Sequence, residues 1–210
     1  MDGLREMPDN YIDLAIVDPP YGIGMDIQKE SMSRDNKNGG NRHRKAWAKK
    51  WDTPPDEFYF AELMRISRHQ VIWGGNYFLQ YLESTRCLVI WDKIQEFSGA
   101  DFETAWTSFD SSSKAFRMSR MMAYAGGDWR SKAGTKIHPT QKPVDLYKWL
   151  LKNYAKEGDL ILDTHMGSGS SYIACLDMGF DYIGYEIDED YFAAIEKRVY
   201  QFTRQTTLAY

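Results

Sequence analysis

Leu160-Ile161-Leu162-Asp163-Thr164-His165-Met166-Gly167-Ser168-Gly169-Ser170 is the stretch on which the fold turns. An apolar run ends at an acid, a glycine loop follows, and Ser170–Met178 then reads as a helix. The order is therefore strand, tight turn, helix N-terminus. Gly167 and Gly169 let the backbone come close to a ligand, and the helix start offers free N–H groups. The next strand, Tyr182–Tyr185, runs into Glu186, where a carboxylate can accept both hydroxyls of a ribose. This pairing indicates an adenosine-containing cofactor, and NAD, FAD and S-adenosylmethionine sites all use it. Tyr172 stands where the dinucleotide fingerprint has its third glycine, which disfavours NAD. Taken alone, a tight turn with no ligand would look the same.

Working outward, the final helix is expected over Glu189–Gln201, and Pro143 is expected to start an amphipathic helix reaching Tyr154. Towards the N-terminus, Ile12–Val17 reads as a buried strand, and Pro54-Pro55 as the opening of a helix to about Ser67. Val71–Trp73, Cys87–Trp91, Phe102–Phe109 and Ala115–Ala123 read as further strands. Strands alternating with helices predict an α/β fold, a parallel sheet covered on both faces. The polar stretches Gln28–Trp51 and Gly126–Lys136 read as loops.

Asp18-Pro19-Pro20-Tyr21 follows the Ile12–Val17 strand, at the carboxyl end where open α/β sheets hold ligands. Two prolines lock φ and make the turn stiff. An aminated base carries an exocyclic NH2 whose lone pair is delocalised. The Asp18 carboxylate and the Pro19 carbonyl can accept its two hydrogens and free that lone pair for attack. Tyr21 can stack on a base flipped out of a duplex. The bland alternative is a proline turn with a core tyrosine.

The chain has 210 residues and a net charge of −4, which as a bulk figure points away from nucleic acid. Divided by position it says something else. Lys29–Lys50 carries +6 and Lys114–Lys136 carries +5, leaving −15 on the remainder. Basic segments on an acidic body can hold a polyanion locally, although two solvated loops would have the same composition. A content of 43% hydrophobic residues argues against disorder. No apolar run is long enough to cross a bilayer, and the acidic start does not fit a secretory signal, so a cytoplasmic location with no membrane partner is expected. Cys87 and Cys175 are far apart, and His43, His69, His138 and His165 lack ligand spacing, so no disulfide scaffold or metal site is expected.

With these residues in view, the chain resembles the S-adenosylmethionine-dependent amino-methylating DNA methyltransferases, in particular their circularly permuted beta-type group. Asp18–Tyr21 precedes the glycine loop, and His138-Pro139-Thr140-Gln141-Lys142-Pro143 lies directly upstream of the glycine-loop strand. The resemblance implies a Rossmann-like methyltransferase fold with a mostly parallel seven-stranded sheet. It implies one domain over 1–210, with a basic loop at about 28–51 and a short target-recognition segment at about 111–137. It assigns catalysis to Asp18, Pro19, Pro20 and Tyr21. It assigns S-adenosylmethionine binding to Asp2, Thr140, Lys142, Asp163, His165, Gly167, Ser168, Gly169, Ser170 and Glu186. Where the family loop reads Asp-Pro-Phe, this chain has Asp163-Thr164-His165, and His165 is expected to take the aromatic's place.

DNA is the implied partner, held by Tyr21, by Arg34, Lys37, Arg42, Arg44 and Lys45 over phosphates, and by Arg117, Arg120, Arg130 and Lys132 in the recognition interval. A homodimer and a restriction or recognition partner are compatible with the resemblance. Asp18 at the first motif position leans towards adenine N6, with cytosine N4 as the rival. A protein glutamine methyltransferase would have its turn after the glycine loop. A non-catalytic nucleic-acid-binding module and an oxidoreductase complete the alternatives.

Overall fold

Ile12–Val17 (β1) is buried along nearly its whole length, which a strand achieves only when both sheet faces are covered. The computed structural model describes residues 2–24, 52–94, 100–119, 122–123 and 137–207. The other strands are Ser67–Trp73 (β2), Leu88–Asp92 (β3), Phe102–Thr107 (β4), Lys114–Arg117 (β5), Leu160–Asp163 (β6) and Asp181–Gly184 (β7). They form one seven-stranded sheet in the order β5-β3-β4-β2-β1-β6-β7. β4 alone runs antiparallel to its neighbours, and the rest are parallel. The carboxyl ends of six strands and the start of β4 therefore meet at one edge.

The helices are Asp2–Arg5 (α1), Glu57–Ile66 (α2), Val144–Tyr154 (α3), Ser170–Met178 (α4) and Glu189–Thr207 (α5). Period-two alternation divides the core between the two faces. Leu14, Ile16, Val71 and Trp73 pack with Leu146, Leu150 and Leu151 of α3 and Ala174 of α4. Ala15, Val17 and Ile72 pack on the other side with Tyr59, Phe60, Leu63 and Ile66 of α2.

Several boundaries differ from the sequence expectation, each for a local reason. α2 begins after Pro54-Pro55, because Asp56 is the cap and accepts from the Tyr59 N–H at 3.1 Å. Ser67 leaves the helix in an extended conformation and pairs at once with Ile12, so β2 starts there and not at Val71. β5 stops at Arg117 because its partner β3 stops at Asp92, and Met122-Ala123 are helical, not strand. α5 continues past Gln201 to Thr207, with no glycine or proline to end it. The expected loops 28–51 and 126–136 lie outside the described residues.

The β2 carboxyl end is held close to β4. A Cβ on Gly75 would lie 2.4 Å from Trp106 Cβ. Gly75→Ala is expected to lower the unfolding free energy by about 1–3 kcal/mol, measured by denaturant titration. Unchanged stability would show that these two strands can separate freely.

Candidate active site

A cleft of about 1720 Å³ opens along the carboxyl edge of the sheet. Asp18, Pro19, Pro20 and Tyr21 line it from β1. Met166, Gly167 and Ser168 line it after β6, and Glu186 after β7. His138, Thr140 and Lys142 line it from the segment before α3.

Both oxygens of the Asp18 carboxylate are engaged. The Tyr21 hydroxyl donates to Oδ1 at 2.6 Å, and the Lys142 ammonium donates to Oδ2 at 2.5 Å. Lys142 also lies 3.2 Å from Glu103 Oε2, and Lys93 lies 2.7 Å from Glu103 Oε1. The Lys142 side chain is only 3% exposed. Burial opposes its charge, yet Asp18 and Glu103 outweigh that effect and hold the ammonium above its ordinary pKa. Burial likewise opposes the Glu103 charge, but Lys142 and Lys93 bring its carboxyl down to about 2. Burial and the Asp18 charge push the Tyr21 hydroxyl well above its usual range, so it stays a donor. The Tyr21 ring stacks on Tyr77 with centroids 4.9 Å apart. Gly74, with φ +67°, leaves room for that ring, since a Cβ there would meet it at 2.2 Å.

Lys142 reaches this position from a braced turn. The His138 Nδ1 accepts from the Thr140 N–H at 3.4 Å and sits 3.1 Å from its hydroxyl, while Gln141 Oε1 accepts from the Ile137 N–H. α3 starts immediately afterwards, with Pro143 as its cap.

In the glycine loop, the Gly167 N–H donates to Glu186 Oε2 at 2.8 Å, and the Asp188 N–H donates to Oε1 at 2.9 Å. Burial raises the Glu186 carboxyl above its ordinary value. Asp163 turns inwards: Oδ2 accepts from Ser171 at 2.6 Å and Oδ1 from the His165 N–H at 3.0 Å. Burial pushes its carboxyl up to about 7. Arg198 of α5, also buried, donates to the Ser168 carbonyl at 2.6 Å and to Ser170 Oγ at 3.0 Å. Gly169 lies against Ile195, where a Cβ would come within 2.6 Å. Thr164 Oγ1 pairs with the Tyr59 hydroxyl at 2.6 Å, and the His165 ring meets Tyr59 edge-on. Burial brings the His165 imidazole down to about 4, so it is neutral at pH 7. Tyr59 thus braces the loop at Thr164 and His165.

The model of the N6/N4 family described as "DNA methylase" matches residues 91–197, about half of the chain. The chain belongs to the N6/N4 amino-DNA methyltransferase family. The type II methyltransferase M.HinfI of Haemophilus influenzae is 24% identical over 243 aligned positions, covering 95% of this chain and 66% of M.HinfI. Another curated relative is matched over 30% of its length, so the chain spans less than two thirds of these first relatives. Among solved structures, the PvuII DNA methyltransferase (cytosine-N4-specific) superposes with a TM-score of 0.56 at 14% identity, covering 96% of this chain and 88% of that one. A complex of M1.HpyAVI with S-adenosylmethionine gives 0.52 at 18% identity, covering 90% and 89%. These likenesses show the fold.

Within this methyltransferase fold, three of the expected cofactor residues, Asp163, Gly169 and Ser170, lie outside the cleft lining. Asp163 and Ser170 are drawn inwards by Ser171 and Arg198, and Gly169 is packed on α5. Lys142 lines the cleft, but its ammonium belongs to Asp18 and Glu103. Asp2 starts α1, whose Gly3 and Leu4 reach the cleft, while its own side chain is outside what is described. Arg117 is exposed at the same edge and lies 3.3 Å from Asp92. Arg34, Lys37, Arg42, Arg44, Lys45, Arg120, Arg130 and Lys132 lie outside the described residues. Sequence reading misses Glu103 and Arg198, which sit in no recognisable motif, and reads Trp91-Asp92-Lys93 as shaping the pocket without assigning it chemistry. No helix among the described residues is long and apolar enough to cross a membrane.

The inward carboxyl of Asp163 has a thermodynamic consequence. A carboxyl raised from 3.8 to about 7 on folding favours the folded state most below pH 4 and loses that contribution as pH rises through 7. Asp163→Asn removes this dependence and keeps an acceptor for the His165 N–H. The melting temperature of the variant relative to wild type is therefore expected to rise from pH 5 to about pH 7 and level off above it. A constant difference over that range would contradict a buried, protonated Asp163.

Proposed function

We propose that this chain transfers a methyl group from S-adenosylmethionine to the N6 amino group of adenine in DNA. The observation that carries the reading is the Asp18 carboxylate, fixed on a stiff proline turn and facing the same cleft as the glycine loop and Glu186. The cofactor fits the residues present. Gly167, with φ +52° that side chains rarely adopt, brings bare backbone to the cleft, and Glu186 offers a carboxylate beside it. When bound, S-adenosylmethionine supplies an electrophilic methyl sulfonium.

The remaining work is done by this chain's groups. Asp18 and the Pro19 carbonyl accept the two amine hydrogens and turn the nitrogen lone pair outwards. Tyr21, backed by Tyr77, gives the flipped base a flat surface. Thr140, His165 and Ser168 complete the cofactor wall. Holding the reactants in line accounts for most of the acceleration, because the electrophile is already activated. Arg34, Lys37, Arg42, Arg44 and Lys45 contact phosphates. Arg117, Arg120, Arg130 and Lys132 contribute to target reading, with a small site or a partner chain completing recognition. The aspartate at the first motif position favours adenine over cytosine N4.

DNA incubated with the protein and labelled cofactor, digested to nucleosides and resolved by mass spectrometry, tests the proposal. N6-methyladenine is the expected product, and Asp18→Asn should lower its formation by about 10²-fold or more. N4-methylcytosine alone would overturn the assignment of the base.

A further inference from the structure

The target amine has to find an acceptor on Asp18, and each of its oxygens already accepts one hydrogen bond. The two occupants are not equally easy to displace. On Oδ1 sits a neutral hydroxyl, that of Tyr21. On Oδ2 sits a buried cation, Lys142, which would leave an uncompensated charge behind if it moved away. Lys142 has a second carboxylate partner in Glu103, and the other oxygen of Glu103 holds Lys93, itself buried. Aromatic rings add to both cationic sites: Lys142 lies 5.1 Å from the Trp73 ring centroid and Lys93 lies 5.4 Å from that of Trp91. The cleft wall therefore carries a row of alternating charge, Asp18, Lys142, Glu103, Lys93, drawn from β1, the segment before α3, β4 and the end of β3.

We propose that Glu103 is a positioning residue: by holding both ammonium groups it lets Lys142, and not Lys93, reach Asp18, so that Oδ2 stays occupied and Oδ1 is the acceptor that passes from the Tyr21 hydroxyl to the target amine. The proposal rests on the reading of Asp18 as the amine acceptor. It follows from charge balance along the row. Glu103→Gln keeps the length of the side chain and removes its charge. Lys93, stripped of its anion, then turns to the remaining carboxylate, and Asp18 gains a second ammonium where the amine should bind. Removing Lys93 as well takes away that competitor and leaves the Lys142–Asp18 pair balanced.

Steady-state methyl transfer by wild type, E103Q and K93M/E103Q, on DNA that wild type methylates, tests the row. Cofactor Kd and melting temperature are measured beside it. E103Q is expected to lower kcat about tenfold or more while KM for DNA stays within about threefold. K93M/E103Q should recover most of the lost kcat. A purely structural Glu103 would make the double variant at least as slow as E103Q. That result, or wild-type kcat in E103Q, overturns the proposal. If E103Q does not fold, the double variant must still fold and turn over within about tenfold of wild type, and its failure counts against the row equally. A wild-type protein that methylates neither adenine nor cytosine overturns the reading of the site itself, whereas active wild type with unaffected E103Q overturns only the role of Glu103.

Discussion

The ammonium of Lys142 is the contact around which the carboxyl edge of this sheet is arranged. A charge this deeply buried persists only with partners, and removing one partner costs far more than the pair contributes. Its two carboxylates come from elements far apart in the chain, Asp18 after β1 and Glu103 on β4. The antiparallel course of β4 is what brings the start of that strand, and so Glu103, to the edge where the other strands end. The braced His138–Lys142 turn delivers the ammonium from the opposite side. One interaction thus ties strand order, a proline turn and a helix start to a single carboxylate.

The glycine loop obeys a different constraint. Its backbone is kept open by glycine at Gly167 and held by side chains of the surrounding elements. Asp163 receives the Ser171 hydroxyl, Arg198 clamps the Ser168 carbonyl, and Tyr59 takes the Thr164 hydroxyl. Glu186 accepts from the loop itself through the Gly167 N–H, which places its carboxylate beside the bare backbone. The loop is therefore shaped by the chain's own contacts, the kind of support that precise sites need.

Much of this was legible in the residues. The strand, glycine loop and helix at 160–178 were readable because periodicity switches there and two glycines mark the turn. The α4 limits Ser170–Met178 agree with the structure for that reason. Asp18 and Glu186 were readable because each ends an apolar run, and a strand end points a side chain at the carboxyl edge. The inward turn of Asp163 was not, since an acid at a strand end serves a ligand or its own loop equally well on paper. Nor was the link between Glu103 and Lys93: Trp91-Asp92-Lys93 reads as shaping the pocket, and Glu103 looks like an ordinary surface charge until β3 and β4 pair Trp91 with Glu103. Ion pairs between sequence-distant residues leave no spacing to recognise. Lys142 was singled out by its motif, but as a cofactor contact; only the geometry gives its ammonium to Asp18.

That reassignment is the centre of the account, and Lys142→Met tests it most directly. The substitution keeps the length and apolar stem of the side chain and deletes the charge. Calorimetry with S-adenosylmethionine, set beside the single-turnover rate of methyl transfer to DNA, separates the two roles. If Lys142 serves Asp18, transfer falls by about 10²-fold or more while cofactor affinity stays within about threefold. A loss of cofactor affinity that accounts for the whole loss of transfer would contradict it.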